Sequence, residues 1–128
     1  MAVFLYTRYM ISSLFRFHGH GSLRYVYKNG KAVRSQLLTI KTTQNSRRKQ
    51  SRVSVVVSKK VLKSAVGRNR IRRRLYEYMR HTLPNIPQAH DIVLIVTSSE
   101  VRTMPYMELS AHLGQLLEKA ELHKAPKN

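Results

Sequence analysis

The sequence contains no cysteine, and no acidic residue precedes position 77. The lack of cysteine excludes disulfide bonds and cysteine-ligated zinc, and is typical of proteins of the reducing cytoplasm. No apolar run approaches the ~20 residues that a transmembrane helix needs. We therefore expect a cytoplasmic protein that does not span a membrane.

Acidic residues are scarce, and their positions argue against a catalytic centre built by the polypeptide. Of the six Asp and Glu residues, only Glu118 and Glu121 lie within three positions of each other. A protein nuclease usually needs paired carboxylates for metal, or histidines for acid–base catalysis. The six histidines are scattered, and His18 and His20 have no carboxylate or cysteine nearby to complete a metal site. The sequence thus predicts no catalytic residues, no metal ligands and no cofactor bound by this chain alone.

Positive charge dominates what is present. The 128 residues include 24 Lys and Arg, which gives a net charge of +18. Nineteen of these bases precede the first acid, so the first 76 residues carry +19. Such a field attracts polyanions in a salt-dependent manner. The bases are spread over several elements and do not lie opposite a bulky apolar helix face, which favours nucleic acid over an anionic membrane.

The most basic stretch, residues 58–80, predicts a strand end, a Lys-rich loop and a helix. Ser64 is placed to cap the helix, and an apolar stripe follows at helical spacing. The stripe consists of Ile71, Leu75, Tyr78 and Met79. Five arginines occur within residues 68–74, where like charges repel one another. A solvated basic face is the simpler interpretation, and a phosphate-binding surface is the sharper one, because guanidinium groups match phosphate oxygens in pairs.

The same stretch resembles the signature of the protein subunit of bacterial ribonuclease P, in which S-K-K is followed by A-V-x-R-N-R-I-[KR]-R. The matching residues are Ser58, Lys59, Lys60, Ala65, Val66, Arg68, Asn69, Arg70, Ile71, Arg72 and Arg73. Two positions depart from the pattern. Arg74 stands where the family usually has an apolar residue, and Tyr76 where it usually has Arg. Either the helix face is locally shifted, or one phosphate contact is exchanged for another.

The remaining elements give an α+β fold. Residues 22–29 predict a helix capped by Ser22 and ended by Gly30. Residues 31–43 predict two short strands or one bent strand, with Leu38 and Ile40 on one side and Leu37, Thr39 and Lys41 on the other. A polar, hairpin-like loop at 44–50 leads to a valine-rich strand at 52–58, which we expect in the sheet centre because both its faces are apolar.

The basic helix is followed by a proline-containing, helix-breaking segment at 83–87. A strand at 91–97 comes next, and Pro105 then opens the last helix. The expected stripe of that helix is Tyr106, Leu109, Leu113, Leu116 and Leu117. The order is α-β-β-β-α-β-α, one sheet covered by helices. The resemblance implies the same order, with a left-handed crossover between two parallel strands. We expect one domain over residues 16–122, a polar tail at 123–128 and an N-terminal extension at 1–15, with Met10 as an alternative start.

The resemblance also implies a function and two RNA-binding surfaces. The family's RNA subunit cleaves precursor tRNA with Mg²⁺ that the RNA itself holds, and one protein is expected per RNA. The residues implied for binding that RNA are Lys59, Lys60, Lys63, Arg68, Asn69, Arg70, Arg72 and Arg73. A cleft between the early helix and the sheet is implied for the single-stranded 5′ leader of precursor tRNA, with Tyr27, Leu23, Thr39 and Lys41.

Other functions fit parts of the sequence. A structural ribosomal or general RNA-binding protein fits the composition equally well, but has no reason to share the signature spacing. A DNA-binding transcription factor typically uses a helix-turn-helix unit. Here the basic helix is followed by a proline-rich break and a strand, which argues against that class.

Overall fold

A computed structural model of the protein describes residues 20–122. Its helices and strands confirm the predicted order: α1 His20–Asn29, β1 Lys31–Arg34, β2 Leu38–Gln44, β3 Arg52–Val57, α2 Ala65–Thr82, β4 His90–Val96 and α3 Tyr106–Lys119. Short 3₁₀ helices at Leu83–Asn85 and Ser99–Arg102 flank β4. The expected extension and tail, and His18 of the His-Gly-His-Gly stretch, lie outside the described residues.

The four strands form one mixed sheet in the order β1-β2-β4-β3. β2 pairs antiparallel with both β1 and β4, whereas β3 and β4 run parallel and are joined through α2. Two expectations are therefore wrong. The 44–50 segment is not a hairpin loop, because β4 lies between β2 and β3. The valine-rich β3 is an edge strand, buried because α2 packs against it.

The core lies on one face of the sheet, under α2 and α3. Its largest fully buried side chains are Leu38, Ile40, Ile71, Leu75, Met79, Ile92, Leu94, Leu109, Leu113, Leu117 and Leu122. Leu37 joins this core and does not face the opposite side as predicted. It precedes β2, in the turn where the Ser35 hydroxyl accepts hydrogen bonds from the Leu37 and Leu38 backbone N–H groups. Alternation along a strand does not extend into such a turn.

Helix α1 packs on the opposite face of the sheet, with Val26 fully buried against Val93. The helix begins at His20, so Ser22 lies within it and the predicted Ser22 cap is wrong. Gly30 ends the helix as predicted. A Cβ at Gly30 would lie 2.4 Å from the Val26 carbonyl oxygen, so any other residue would force the backbone to shift where the chain turns from α1 into β1.

Helix α3 confirms most of its predicted stripe. Leu109, Leu113, Leu116 and Leu117 are buried, and Pro105 occupies the N-cap position. Tyr106 is the exception, with half of its surface exposed. It occupies the first turn of α3.

Candidate RNA interface

The N-terminus of α2 is fixed by Ser64. Its hydroxyl accepts a hydrogen bond from the Gly67 backbone N–H at 3.0 Å, which confirms the predicted cap. The buried residues of the helix are Gly67, which lies beside the side chains of Leu62 and Arg102, and Ile71, Leu75, Tyr76 and Met79. The predicted apolar stripe included Tyr78 and omitted Tyr76. In the structure Tyr76 is buried, whereas Tyr78 is only half-buried.

Six of the eight residues predicted to bind the RNA subunit are exposed: Lys59, Lys60, Lys63, Asn69, Arg70 and Arg73. They lie on the loop before α2 and on the first half of that helix, and we call them together the basic surface. Arg72 is half-buried, and its Nη1 donates a 2.8 Å hydrogen bond to Oδ1 of Asn69. Asn69 thus fixes the direction of one guanidinium group in this surface.

Arg68 is held against the backbone of the same loop. Its Nη1 donates hydrogen bonds to the carbonyl oxygens of Leu62 at 3.0 Å and Lys63 at 2.7 Å. These bonds tie the first turn of α2 to the end of the Lys-rich loop. Arg68 therefore contributes to the shape of the basic surface as well as to its charge.

The two positions that depart from the signature both make contacts within the chain. Arg74 donates from Nη1 to the Val101 carbonyl oxygen at 2.6 Å and from Nη2 to that of Met104. Burial, followed by the nearby charge of Arg70, lowers the pKa of Arg74 from its usual value. The Tyr76 hydroxyl accepts a hydrogen bond from the Val55 N–H at 3.1 Å. Arg74 thus joins α2 to the 3₁₀ segment before α3, and Tyr76 joins α2 to β3.

The second predicted surface is the face of the sheet that carries α1. On this face, the register between β2 and β4 places each residue of β2 directly beside a partner on β4. One row contains Thr39 and Ile95, and the next contains Lys41 and Val93. Lys41 Nζ donates a 3.1 Å hydrogen bond to the Tyr27 carbonyl oxygen and lies 5.3 Å from the centre of the Tyr27 ring.

The predicted leader-binding residues differ in accessibility. Tyr27 is 38% exposed, and its partial burial raises the pKa of its hydroxyl. Lys41 is half-buried beside it, whereas Thr39 is 9% exposed. Leu23 packs beside Val26 at the edge of α1. The structure therefore brings Tyr27 and Lys41 together and leaves Thr39 and Leu23 largely as packing residues.

A cleft of about 470 Å³ lies beside this surface, between α1 and the loop that follows β2. Its lining residues are Gly21, Tyr25, Thr43, Gln44, Asn45, Ser46, Arg47, Arg52 and Asp91. Sequence reasoning did not find this cleft. The features of the sequence that could have indicated it are the polar loop at 44–50 and the aromatic residue Tyr25.

The floor of the cleft is a buried ion pair. Arg52 donates from Nε to Oδ1 and from Nη2 to Oδ2 of Asp91, both at 2.9 Å. Asn45 Nδ2 donates to Oδ2 of the same carboxylate at 3.0 Å. Both oxygens of Asp91 are thus engaged, which fixes the β2–β3 loop to the start of β3 and β4.

Residues 20–122 contain neither a cluster of metal-ligating side chains nor a helix that could span a membrane. No three His, Asp or Glu side chains in this range are grouped closely enough to hold a metal ion. None of the helices in this range has the length and apolar composition that a membrane span requires.

Comparison with known proteins decides the family. Residues 13–121 match the model of the protein family described as Ribonuclease P. The chain belongs to the ribonuclease P protein family. The ribonuclease P protein component of Pseudanabaena sp. is 38% identical over 98 residues, covering 76% of this chain and 83% of the relative. That of Chloroflexus aurantiacus is 36% identical over 105 residues, covering 82% and 76%. That of Synechococcus sp. is 40% identical over 72 residues, covering 56% and 53%.

Solved structures of this family have the same fold. The ribonuclease P protein of Staphylococcus aureus superposes with a TM-score of 0.76 at 25% identity, covering 86% of this chain and 98% of that one. The protein from Thermotoga maritima gives a TM-score of 0.72 at 25% identity, covering 81% and 96%. These matches confirm the predicted α+β fold.

The ribonuclease P signature thus divides into two groups of residues in this chain. Arg68, together with Ser64, which is not part of the signature, uses its polar atoms to shape the start of α2. Lys59, Arg70 and Arg73 are exposed and have no role in the core. Arg68 thus contributes to both the conformation and the charge of this segment, whereas the exposed bases contribute charge. Contact of the exposed group with RNA stays a prediction.

Proposed function

We propose that this chain is the protein subunit of a ribonuclease P, which promotes removal of the 5′ leader from precursor tRNA. The observation that carries the proposal is the ribonuclease P signature at 58–73, folded so that its lysines and two of its four arginines, Arg70 and Arg73, are exposed on one helix and its preceding loop. Family membership supports an association with ribonuclease P RNA.

The basic surface of α2 and its loop binds the catalytic RNA in this proposal. Exposed Arg70 and Arg73 pair with phosphates, and Arg72 is aimed by Asn69. Each phosphate neutralised releases counterions, so binding weakens with salt. One protein binds one RNA. Cleavage is the work of the RNA subunit, which holds its own Mg²⁺, and no residue of this chain is assigned a catalytic role.

The face of the sheet beside α1 binds the leader. Aromatic rings stack on bases without sequence preference, and the exposed part of the Tyr27 ring lies next to the Lys41 ammonium group. An aromatic ring beside a cation can bind single-stranded RNA, because each nucleotide offers a base to the ring and a phosphate to the cation. Leader contacts raise the affinity for precursor over product, and the net charge of +18 lowers the Mg²⁺ needed to bring two RNAs together.

The test is cleavage of precursor tRNA by the cognate ribonuclease P RNA at low Mg²⁺, with and without the protein. We expect the wild type to restore cleavage and the double variant Arg70→Ala, Arg73→Ala to restore much less. The double variant Arg80→Ala, Lys119→Ala removes the same charge elsewhere and should behave as the wild type. If the wild type binds RNA tightly but restores no cleavage, a structural ribosomal or general RNA-binding function replaces this proposal.

A further inference from the structure

Arg102 brings a guanidinium group from a distant part of the sequence to the first turn of α2. It belongs to the 3₁₀ segment Ser99–Arg102, which follows β4. A Cβ built at Gly67 would lie 3.1 Å from Nη1 and 3.2 Å from Cζ of Arg102. The guanidinium group therefore lies against the backbone of α2, in space that a side chain at position 67 would otherwise fill.

The backbone that carries Arg102 is fixed by its neighbours in the chain. Val101 is fully buried in the core, and Met104 packs against the same core. The carbonyl oxygens of these two residues also accept the hydrogen bonds from Arg74. Because burial of Val101 already anchors the segment, Arg102 keeps its place beside α2 independently of Arg74.

The guanidinium group of Arg102 has no partner of opposite charge in the described part of the chain. Among residues 20–122, no carboxylate forms an ion pair with Arg102 and no carbonyl oxygen accepts a hydrogen bond from it. Arg68 and Arg74, in contrast, both donate to backbone carbonyl groups. A guanidinium group carries five N–H donors in a planar fork that matches phosphate oxygens. The donors of the half-buried Arg102 are therefore available to an anion from outside the chain.

Arg102 adjoins the basic surface. Gly67 and Arg70 are three residues apart on α2, so they are neighbours on the surface of the helix. Arg70 is exposed, and Lys63 lies at the end of the loop that leads into the same turn. An RNA strand whose phosphates contact Arg70 therefore passes close to a further cation, on the side of α2 that faces the 3₁₀ segment.

We propose that Arg102 binds a phosphate of the catalytic RNA and so extends the basic surface beyond the signature. The inference rests on the proposed function. It adds a phosphate contact from a segment that the spacing of the signature does not reveal. Glycine at position 67 matters for this arrangement, because a side chain there would press against the guanidinium group.

The experiment titrates the protein with its cognate ribonuclease P RNA, without precursor tRNA, at several salt concentrations. Arg102→Gln keeps most of the aliphatic stem and removes the charge. We expect it to weaken binding about 10-fold, as for the loss of one charge-assisted hydrogen bond, and to reduce the salt dependence by about one phosphate contact. Arg102→Lys should retain the salt dependence but lose part of the affinity, because an ammonium group lacks the planar fork.

Two controls separate the contact from general effects. Lys119→Gln removes one positive charge from an exposed residue at the end of α3, and should change neither the affinity nor the salt dependence. Urea denaturation should give Arg102→Gln the same free energy of unfolding as the wild type, because no hydrogen bond within the described residues is lost.

The outcomes distinguish this inference from the proposed function. If Arg102→Gln binds the RNA with wild-type affinity and salt dependence, the inference is wrong, while the proposed function stands as long as the protein restores cleavage. A loss of affinity with unchanged salt dependence also overturns the inference, because Arg102 then acts through the shape of the fold and not through a phosphate. If the wild type neither binds the RNA nor restores cleavage, the proposed function itself fails.

Discussion

The hydroxyl of Tyr76 on α2 accepts a hydrogen bond from the backbone N–H of Val55 on β3 at 3.1 Å. Val55 lies on the edge strand of the sheet, where backbone groups that point away from the neighbouring strand need other partners. A side chain from the covering helix thus completes the bonding of the sheet edge. The family usually has Arg at this position, so this contact belongs to the departure from the signature.

Replacing Tyr76 by Phe tests the energetic value of this contact. The variant keeps the buried ring and leaves the Val55 N–H without the hydroxyl, which should lower the free energy of unfolding by about 1–2 kcal/mol. Urea denaturation measures the change. Tyr25→Phe, which removes a hydroxyl from an exposed ring, should alter stability by less than about 0.5 kcal/mol. Equal stability of the two variants would show that the edge contact contributes nothing.

Two glycines with different surroundings allow a second test. A Cβ at Gly30 would lie 2.4 Å from the Val26 carbonyl oxygen, a backbone atom, whereas at Gly114 in α3 the nearest atom is 3.6 Å away. Gly30→Ala should therefore destabilise the protein by about 1–3 kcal/mol through overpacking. Gly114→Ala should stabilise it by about 0.5–1 kcal/mol, because alanine favours the helix. Thermal denaturation of both variants checks the opposite signs, and a loss at both sites would contradict the expectation.

Arg73 and Arg74 are neighbours in sequence, but we expect Arg73 to act in RNA binding and Arg74 in the stability of the fold. Arg73 is exposed, so Arg73→Ala should leave stability unchanged and reduce the salt dependence of RNA binding by about one phosphate contact. Arg74 donates to two backbone carbonyl groups, so Arg74→Ala should cost about 1–2 kcal/mol of stability and leave the salt dependence unchanged. Urea denaturation and RNA titrations at several salt concentrations measure both quantities. The reverse pattern would place Arg74, and not Arg73, at the RNA.

The sequence predicted those features that depend on neighbouring residues. The Ser64 cap and the order of the elements follow from short-range signals, and both are confirmed. The position of β3 at the sheet edge was not predictable in this way, because strand order depends on pairings between distant segments. The burial of Tyr76 in the place of Tyr78 has the same origin, since α2 leans on an edge strand whose position the periodicity of α2 does not reveal.

In the candidate site, too, the features set by neighbouring residues were predicted and those set by distant contacts were not. The signature identified the exposed bases of α2 through residue type and spacing. It did not indicate that Arg68 donates to the loop backbone, or that Asn69 aims Arg72. The cleft at Tyr25 was missed because it forms only when α1 packs beside the loop after β2, two segments that no local pattern connects.

The pKa of Glu77 predicts a small pH dependence of stability. A hydrogen bond from Arg80 is the main cause that lowers the pKa of this carboxyl group. A lowered pKa in the folded state means that the stabilisation is present above the ordinary value of about 4.3 and is lost as the pH falls. Glu77→Gln should cost about 0.3–0.5 kcal/mol at neutral pH, as for other helix-surface pairs. The difference from wild type, measured by urea denaturation, should disappear at acidic pH; a constant difference would show a cause other than charge.

We expect substitutions of Arg52 and Asp91 to have strongly non-additive effects on the free energy of unfolding. Removing one partner leaves a buried charge without its counterion, so Arg52→Met and Asp91→Leu should each cost about 3–5 kcal/mol. The double variant buries no charge and should lose much less than the sum of the two changes. Urea denaturation of all four proteins gives the coupling energy. Arg48→Met, on an exposed residue of the nearby loop, controls for loss of one positive charge and should be nearly neutral. Additive losses would show that the two side chains stabilise the fold independently.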